Sequence, residues 1–268
     1  MRCASSRRPT RGDRVRVLIT NDDGVEAPGL HALANSIHAA GHDVLVVAPS
    51  GERSGSGAAI GRLHRAGPLA CTQVEWTDLP GVPVFAIDAP PAATVYAGLL
   101  GAFGPRPDAV ASGINPGANT GHLVLHSGTV GAALTAAAVG VPAIAVSIAW
   151  GEQHEWATAA AFAPAALEWV VAGKGTPARV CNLNAPNLAL AEVKGVRETV
   201  LAPFDENWKT EARPGEIVLE YVGRQHEPAP GSDLEAVHSG YVSVTILAGI
   251  EPAEEPGAAK SIADATNT

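Results

Sequence analysis

The sequence has few basic residues, few cysteines and no long apolar run. Only 18 lysines and arginines stand against 27 aspartates and glutamates, which gives a formal net charge of -9 over 268 residues. Nucleic acids and anionic membranes bind proteins through a basic face, so this charge argues against either as the main partner. No stretch approaches the roughly 18 to 20 unbroken apolar residues that a membrane span requires.

The cysteines and the N-terminus carry no sign of export. Cys3, Cys71 and Cys181 are scattered without the spacing of a metal site or a redox pair, which favours reduced thiols. The arginines near the N-terminus precede an apolar segment that begins only at Val15 and soon reaches Asp22. Because a secretory signal has a longer apolar region, we expect a cytoplasmic protein.

Apolar strands alternate with helical patterns along the first two thirds of the chain. The strand patterns cover residues 15–20, 43–49, 107–113 and 142–148, and the helical patterns cover 27–41 and 127–140. Such alternation predicts an α/β fold with a mostly parallel sheet and helices on both faces.

A single domain is expected between two tails. Residues 1–14 form a basic arm and residues 251–268 a Pro-, Ala- and Glu-rich tail, both without an apolar period, and we predict that both are mobile. The hydrophobic fraction of 46% is ample for one core over residues 15–250. Residues 178–186 predict one more strand, and residues 209–247, rich in turns and β-branched residues, predict a β-rich arm with a hairpin-like centre.

Polar side chains follow three of the predicted strands. The segments are NDDG (21–24), SGERSGSG (50–57) and SGINPGAN (112–119). In a parallel sheet, ligands bind at the carboxyl ends of the strands, near the point where the strand order reverses, so we expect these segments to converge. Mg²⁺ and Mn²⁺ prefer oxygen ligands, and such a cation would offset the repulsion between Asp22 and Asp23.

Each of these motifs also has a purely structural interpretation. NDDG can be a turn and helix cap whose side chains accept backbone N–H bonds. The glycine- and serine-rich segment 50–57 can be an ordinary connection or a set of N–H groups for a phosphate. The segment HSGTVGAA (126–133) is a second candidate anion site, because Ser127 and Thr129 lie at a helix start where free N–H groups point outward.

The order of these motifs resembles that of a known family. VLITNDDG, then AP followed by RSG, SGINPGAN, SGTVGAA and the late segment GSDLEAVHSGYVSVTIL occur in sequence between Arg16 and Leu247. The chain is similar in this to the SurE family of stationary-phase survival proteins, whose members are metal-dependent 5′-nucleotidases. The resemblance implies a Rossmann-like core and a homodimer or homotetramer with exchanged C-terminal segments, the exchange involving residues 209–247.

The resemblance also implies a set of site residues. It assigns one divalent metal, Mg²⁺ or Mn²⁺, to Asp22, Asp23, Ser54 and Asn115, with the two aspartates also catalytic. The implied phosphate and substrate residues are Asn21, Gly55, Asn119, Ser127, Gly128 and Thr129.

Several positions depart from the family pattern. His122 and Leu123 stand where the family usually has acidic residues, and His126 stands in place of a tyrosine. Ala93 and Thr135 replace a carboxylate and a glutamate. These changes leave the implied metal ligands intact and alter their surroundings, so they concern substrate choice and turnover rather than the fold.

The implied reaction is hydrolysis of a nucleoside monophosphate. The metal would bind a phosphate oxygen and lower the pKa of a water for in-line attack, and one of Asp22 and Asp23 would orient or deprotonate that water. A covalent aspartyl-phosphate is the minor alternative. His122 or His126 is a candidate for protonating the leaving alkoxide.

Two other functions stay open at this point. The departures at Ala93, Leu123 and Thr135 motivate a nucleotide- and metal-binding protein with weak or lost phosphatase activity. The opening βαβ unit suggests a dinucleotide-binding oxidoreductase, but its first turn carries NDDG instead of the three-glycine fingerprint, and two carboxylates would repel a pyrophosphate.

Overall fold

The computed structural model describes residues 13–61, 67–173 and 178–249. The predicted tails therefore lie outside the described residues, except for Asp13 and Arg14. The strands are β1 Arg16–Thr20, β2 Asp43–Pro49, β3 Cys71–Val74, β4 Val84–Ile87, β5 Ala109–Pro116, β6 Ala143–Ile148, β7 Arg179–Ala185, β8 Val196–Glu198, β9 Glu206–Arg213, β10 Glu216–Arg224 and β11 Val242–Ala248. The helices are α1 Pro28–Ala39, α2 Pro91–Leu99, α3 Gly128–Ala138, α4 Trp156–Val171 and α5 Asp233–His238, with short 3₁₀ turns at Gly121–Leu125 and Leu190–Glu192.

The main sheet has nine strands in the described part of the chain, in the order β3-β4-β2-β1-β5-β6-β7-β11-β8. The central run from β4 to β7 is parallel, whereas β3 pairs antiparallel with β4 and β11 antiparallel with β7. β1 lies between β2 and β5, so the order reverses direction at β1. The predicted mostly parallel α/β fold is confirmed, and its switch point lies between β1 and β5.

Each face of the sheet carries its own apolar core. Val17 and Ile19 of β1 point to the face covered by α1 and α4, whereas Leu18 points to the face covered by α2 and α3. This alternation follows from the two-residue period of a strand. The predicted stripe of α1, Leu30, Leu33, Ala34 and Ile37, is buried against the first of these cores.

The helices next to the switch point begin and end at residues that suit those positions. Pro28 is the first residue of α1, where its missing N–H costs nothing. Gly41 follows the end of α1 with φ of 92°, a conformation that favours glycine. The Ser127 hydroxyl accepts a bond from the Val130 N–H and caps α3.

The predicted β-rich C-terminal segment is confirmed, but it also contains a helix. β9 and β10 form a separate antiparallel hairpin, which lies in the first part of residues 209–247 instead of at the predicted centre. The rest of the segment contains helix α5, and β11 then returns to the main sheet between β7 and β8. The reason is burial: Val242 and Ser243 are fully enclosed, so this end of the segment belongs to the core.

No described helix is long and apolar enough to cross a membrane.

Candidate active site

The three predicted polar segments meet at the carboxyl rim of the sheet. Residues 21–24 follow β1, residues 50–57 follow β2, and Asn115 lies near the end of β5. Because these three strands are neighbours around the switch point, their C-terminal ends face the same crevice. The start of α3, which crosses from β5 to β6, closes this crevice on one side.

Asn21 shapes the loop that presents the two aspartates. Its amide nitrogen donates to the Gly24 carbonyl at 3.0 Å, and its amide oxygen accepts from the Gly24 N–H at 3.3 Å. Gly24 has φ of 105° and packs against the backbone of Gly51, so both its conformation and its surroundings favour glycine. In the described structure the amide of Asn21 therefore bonds within its own loop, and its role toward phosphate stays a prediction.

Asp22 is buried and well bonded. It accepts a hydrogen bond from the Thr129 hydroxyl through Oδ1, and the backbone N–H of Gly128 also favours its charged form. Its pKa is nevertheless raised, because burial outweighs these bonds and the carboxylate of Glu52 adds repulsion.

Asp23, unlike Asp22, has a buried carboxylate oxygen without a hydrogen bond in the described structure. Its Oδ2 atom is buried and has no hydrogen-bond partner among the described residues. Burial, the charge of Asp22 and the charge of Glu52 raise the pKa of Asp23 to about 7. A carboxylate pair in this state carries excess negative charge that the surrounding protein leaves uncompensated.

Thr129 joins the aspartate loop to β5. Its hydroxyl, which donates to Asp22, also lies 3.4 Å from the Asn115 amide oxygen. The amide nitrogen of Asn115 donates to the Gly117 carbonyl at 2.7 Å, which turns the oxygen toward Thr129 and the crevice. The structure thus brings together Asp22, Asn115 and Thr129 from three different elements.

Ser54 lies in the loop that follows β2, and no contact of its side chain with Asp22, Asp23 or Asn115 is described. The Arg53 N–H of its loop donates to the Asp22 carbonyl at 2.6 Å. The Ser54 hydroxyl donates to Glu52 at 2.8 Å and is exposed, as is the neighbouring Gly55. Sequence reasoning missed Glu52, whose effect on both aspartate pKa values marks it as part of the site.

Gly128 leaves no room for a side chain at the start of α3. A Cβ there would lie 2.7 Å from the Asp22 Cβ, 2.8 Å from its Oδ2 and 2.8 Å from the Ser56 hydroxyl oxygen. Only glycine allows the first turn of α3 to approach the aspartate this closely.

Asn119 is held by the ends of β6 and β7. Its N–H donates to Asn184 Oδ1 at 2.7 Å, and its amide nitrogen donates to the Ser147 hydroxyl at 2.9 Å. Asn182 and Asn184 both donate to its carbonyl. Asn119 is almost fully buried, so the polar residues of β6 and β7 fix the chain that leads from β5 toward α3.

A cavity of about 400 Å³ opens beside the start of α3. One wall is the 3₁₀ turn Gly121–Leu125 with His126, and the other is residues 203–205 with Trp208. The rings of His122 and Phe204 meet edge to face at 6.2 Å across it.

Asp233 ties the two walls of this cavity together. Its Oδ2 accepts from the Gly121 N–H at 2.8 Å, and its Oδ1 accepts from the Ala202 N–H at 2.9 Å. Asp233 is fully buried. Its sequence signal was the late motif GSDLEAVHSGYVSVTIL, but sequence reasoning gave it no role in the site.

The remaining departures lie away from the aspartates. Ala93 packs in the apolar core between α2 and the sheet. The Thr135 hydroxyl bonds within α3, to the Gly131 carbonyl at 2.7 Å. Neither side chain has a described polar contact with the site residues, whereas His122, Leu123 and His126 line the cavity.

The oxygen set of the crevice suits a hard cation. Among the described residues no three His, Cys, Asp or Glu side chains form a metal-binding group, so a cation here would combine two carboxylates with neutral oxygens. The unpartnered Asp23 Oδ2 and the raised pKa values of both aspartates fit such an ion.

Comparisons with known proteins agree with the motifs. The sequence model of the family described as "Survival protein SurE" matches residues 17–208. Proteins named 5′-nucleotidase SurE from Gloeobacter violaceus and Geobacter metallireducens are 37% and 39% identical over 238 and 240 residues. The two alignments each cover 87% of this chain and cover 89% and 91% of those proteins.

Two further matches support the same relationship. A Yersinia pestis protein named 5′/3′-nucleotidase SurE is 34% identical over 238 residues, which are 87% of this chain and 89% of that protein. The crystal structure of the SurE protein from Aquifex aeolicus superposes with a TM-score of 0.75 at 30% identity, covering 94% of this chain and 99% of the other.

Proposed function

The chain belongs to the SurE family of survival proteins, and we propose that it is a metal-dependent 5′-nucleotidase that hydrolyses nucleoside monophosphates to nucleoside and phosphate. Its relatives carry the names 5′-nucleotidase SurE and 5′/3′-nucleotidase SurE. The observation in this chain that carries the proposal is the aspartate pair at the switch point, in which Asp23 Oδ2 is buried without a partner. A buried carboxylate oxygen in this state calls for a ligand, and a divalent cation is the simplest one.

Asp22, Asp23, Ser54 and Asn115 are the proposed ligands of one Mg²⁺ or Mn²⁺ ion. Carboxylate, hydroxyl and amide oxygens are the donors that hard cations prefer. The Ser54 hydroxyl donates its proton to Glu52, which leaves the lone pairs of its oxygen available. When bound, the cation would offset negative charge on a phosphate oxygen and lower the pKa of a water molecule.

The residues of the chain would hold the phosphate and the attacking water. Ser127, Gly128 and Thr129 form the first turn of α3, whose N-terminal end favours an anion. Gly55 borders the same crevice, and Asn21 and Asn119 complete the proposed substrate-binding set. Asp22 or Asp23 would orient or deprotonate the water, since an ionised carboxylate can accept its proton.

The nucleoside would occupy the cavity beside α3. This cavity begins at His126, which directly precedes Ser127, so a phosphate at the helix start leaves its nucleoside facing that wall. Phe204 and Trp208 are 65% and 52% exposed there, and aromatic faces stack well on bases. His122 and His126 line the same space and are the candidates for protonating the leaving alkoxide.

The test is phosphate release from a panel of nucleoside monophosphates with Mg²⁺ or Mn²⁺. We expect release that a chelator abolishes and that Asp23→Asn removes. Asp78→Asn is the matched control, because Asp78 bonds His31 and Asn35 away from the crevice. If wild type and Asp23→Asn are equally inactive across the panel while wild type still binds Mn²⁺, the enzymatic function is excluded and a binding role takes its place.

The assembly we propose is a homodimer or homotetramer that exchanges its C-terminal segment. Supporting it, Ile217, Leu219 and Tyr221 alternate along β10 and are 72%, 68% and 48% exposed, with Trp208 of β9 opposite Tyr221. A two-stranded hairpin with an exposed apolar face is rarely stable alone. Leu219→Lys should lower the molar mass measured by light scattering, whereas Glu220→Lys, on the other face, should not.

Residues 15–250 would form one domain of this family, with the hairpin within 209–247 as its exchange segment. We place the activity in the cytoplasm, because the scattered cysteines suit reduced thiols; Cys181 is buried with its pKa raised to about 12 by that burial. Fractionation with an antibody against the native chain tests the location.

A further inference from the structure

The loop after β2 contains a serine hydroxyl without a described role. The Ser56 Oγ atom is buried and has no hydrogen-bond partner among the described residues, although the residue as a whole keeps partial exposure. A buried hydroxyl that bonds nothing costs free energy of folding. An atom of this kind beside an active site therefore indicates a missing ligand.

The position of this hydroxyl is defined by the start of α3. Ser56 Oγ and Asp22 Oδ2 each lie 2.8 Å from the point where a Gly128 Cβ would be. The hydroxyl therefore lies against the first residue of α3, on the same side as the aspartate pair.

The loop holds Ser56 firmly in this position. The Ser56 N–H donates to the Arg53 carbonyl at 3.2 Å, and the next residue, Gly57, donates its N–H to the His126 carbonyl at 3.1 Å. A Cβ at Gly131 of α3 would lie 2.3 Å from the Gly57 carbonyl oxygen, so the loop packs directly on the helix. The free hydroxyl is thus a feature of a tightly packed segment.

We propose that Ser56 is a further substrate-binding residue, whose hydroxyl donates a hydrogen bond to an oxygen of the phosphate group in the substrate and in the product. The inference rests on the proposed function and adds a residue that the family motifs did not assign. An anion in this crevice needs donors, and the ionised aspartates can only accept. The Thr129 hydroxyl already donates to Asp22, whereas the Ser56 hydroxyl bonds no described residue and is available as a donor beside the backbone N–H groups of the α3 start.

A purely structural role for this hydroxyl does not account for its state. A structural serine would bond a neighbouring carbonyl or carboxylate, as Thr135 and Thr94 do with the Gly131 and Pro91 carbonyls. Ser56 makes no such bond even though Asp22 is close. Replacing Ser56 by alanine should therefore not destabilise the protein without substrate.

The experiment compares Ser56→Ala with Ser50→Ala, which removes an exposed hydroxyl from the same loop. Inorganic phosphate is titrated into each Mn²⁺-loaded protein by calorimetry, Mn²⁺ is titrated into each metal-free protein, and melting temperatures are recorded. For Ser56→Ala we expect about a tenfold weaker phosphate Kd, since a hydrogen bond to a charged group is lost. Its Mn²⁺ Kd and metal-free melting temperature should equal those of wild type, and Ser50→Ala should match wild type throughout.

Two results would overturn the inference. One is a phosphate Kd that Ser56→Ala leaves unchanged, or an absence of phosphate binding by wild type. The other is an equal loss of Mn²⁺ affinity in Ser56→Ala, which would make the hydroxyl a metal ligand.

The nucleotidase assay tests the proposed function separately from the role of Ser56. If wild type binds phosphate through Ser56 but hydrolyses no nucleotide, the proposed function is wrong and the anion site stands. If wild type hydrolyses nucleotides and Ser56→Ala has the same KM and phosphate Kd, the function stands and the role of Ser56 is lost.

Discussion

The two ends of the parallel sheet arrange their charged groups differently. At the amino end, Arg16 pairs with Asp43 at 3.4 Å, and its N–H is bonded by Asp108 at 2.9 Å. At the carboxyl end, Asp22 and Asp23 lie side by side and leave Asp23 Oδ2 unpartnered. Opposite charges are matched at the amino end, whereas the carboxyl end gathers like charges that no described residue neutralises.

An unpartnered group is not by itself a site, and the amino end shows why. Both ring nitrogens of His42, just before β2, are buried without a hydrogen-bond partner among the described residues. Burial lowers the pKa of His42, and the charge of Glu168 opposes this only in part. A neutral imidazole needs no counter-ion, whereas the carboxyl end gathers Asp22, Asp23 and Glu52.

The largest expected effect is a difference in Mn²⁺ affinity between two variants, each of which neutralises one aspartate at one end of the sheet. Asp22→Asn removes a charge from the proposed metal site, and we expect Mn²⁺ affinity and phosphate release to fall at least about a hundredfold, the upper range for changes just outside a metal site. Asp43→Asn breaks only a partly exposed pair, which should cost less than about 1 kcal/mol of stability and leave Mn²⁺ affinity unchanged. Calorimetric Mn²⁺ titration of both variants measures this. Equal losses of Mn²⁺ affinity in the two variants would show that the carboxyl end holds no metal site that the amino end lacks.

The next effect concerns the close approach of α3 to the aspartate pair. Gly128→Ala places a methyl group within 2.8 Å of Asp22 Oδ2, so the helix start or the carboxylate must move. We expect about a tenfold or greater loss of kcat/KM, because small displacements at a reacting centre are costly. Gly51→Ala adds the same methyl group to the neighbouring loop in open space, and its kcat/KM should stay close to that of wild type. A wild-type rate in Gly128→Ala would mean that this contact does not position the site.

Some elements of the fold could be predicted from the sequence and others could not. The strands beside the switch point were predictable because each is a short apolar run that ends in polar residues. Two helices that cover the sheet, α2 and α4, were not assigned from sequence. α2 is Ala-rich and buried nearly all round, so it lacks an amphipathic period, and α4 contains Pro164, which normally ends a helix.

The site divides in the same way. The position of Asp22, Asp23 and Asn115 at one edge of the sheet was predictable because each follows or ends a strand. The charge of Glu52, the unpartnered hydroxyl of Ser56 and the bonds of Asp233 depend on contacts between distant segments. Local sequence patterns do not predict contacts between distant segments, so these features are seen only in the folded chain.

A smaller effect should appear in the stability of the metal-free protein. The pKa of Asp23 is raised from 3.8 to about 7, so its contribution to stability is present below pH 3.8 and is lost as the pH rises through 7. In chelator at pH 8, Asp23→Asn should therefore melt about 5 °C above wild type, and this gap should narrow toward pH 5. Saturating Mn²⁺ should reverse the order. A gap that does not change with pH would mean that Asp23 is not held in an unfavourable charged state.

The smallest expected effect is the pH dependence of melting temperature that His42 causes at the amino end. Its sign is opposite to that of Asp23, because His42 lowers stability as the pH falls. Because the pKa of His42 is lowered from 6.5, the unfolded chain takes up its proton first, and stability is lost as the pH falls through 6.5. Asp23 acts in the same pH range, so the measurement uses the Asp23→Asn background in chelator. There, melting temperature should fall by about 2 °C between pH 7 and pH 5. Adding His42→Leu should remove this fall, and adding His38→Gln, an exposed control, should not.

The outcome decides what the unpartnered imidazole is. If the fall disappears with His42→Leu, and the same substitution in the wild-type background changes neither nucleotidase activity nor Mn²⁺ affinity, His42 is a neutral packing residue. A loss of Mn²⁺ affinity from His42→Leu would instead couple the amino end to the crevice across the length of the sheet. His42 and Asp23 lie at opposite ends of neighbouring parallel strands, so that coupling would have to pass through the core. The charged groups of the two ends would then not be independent of each other.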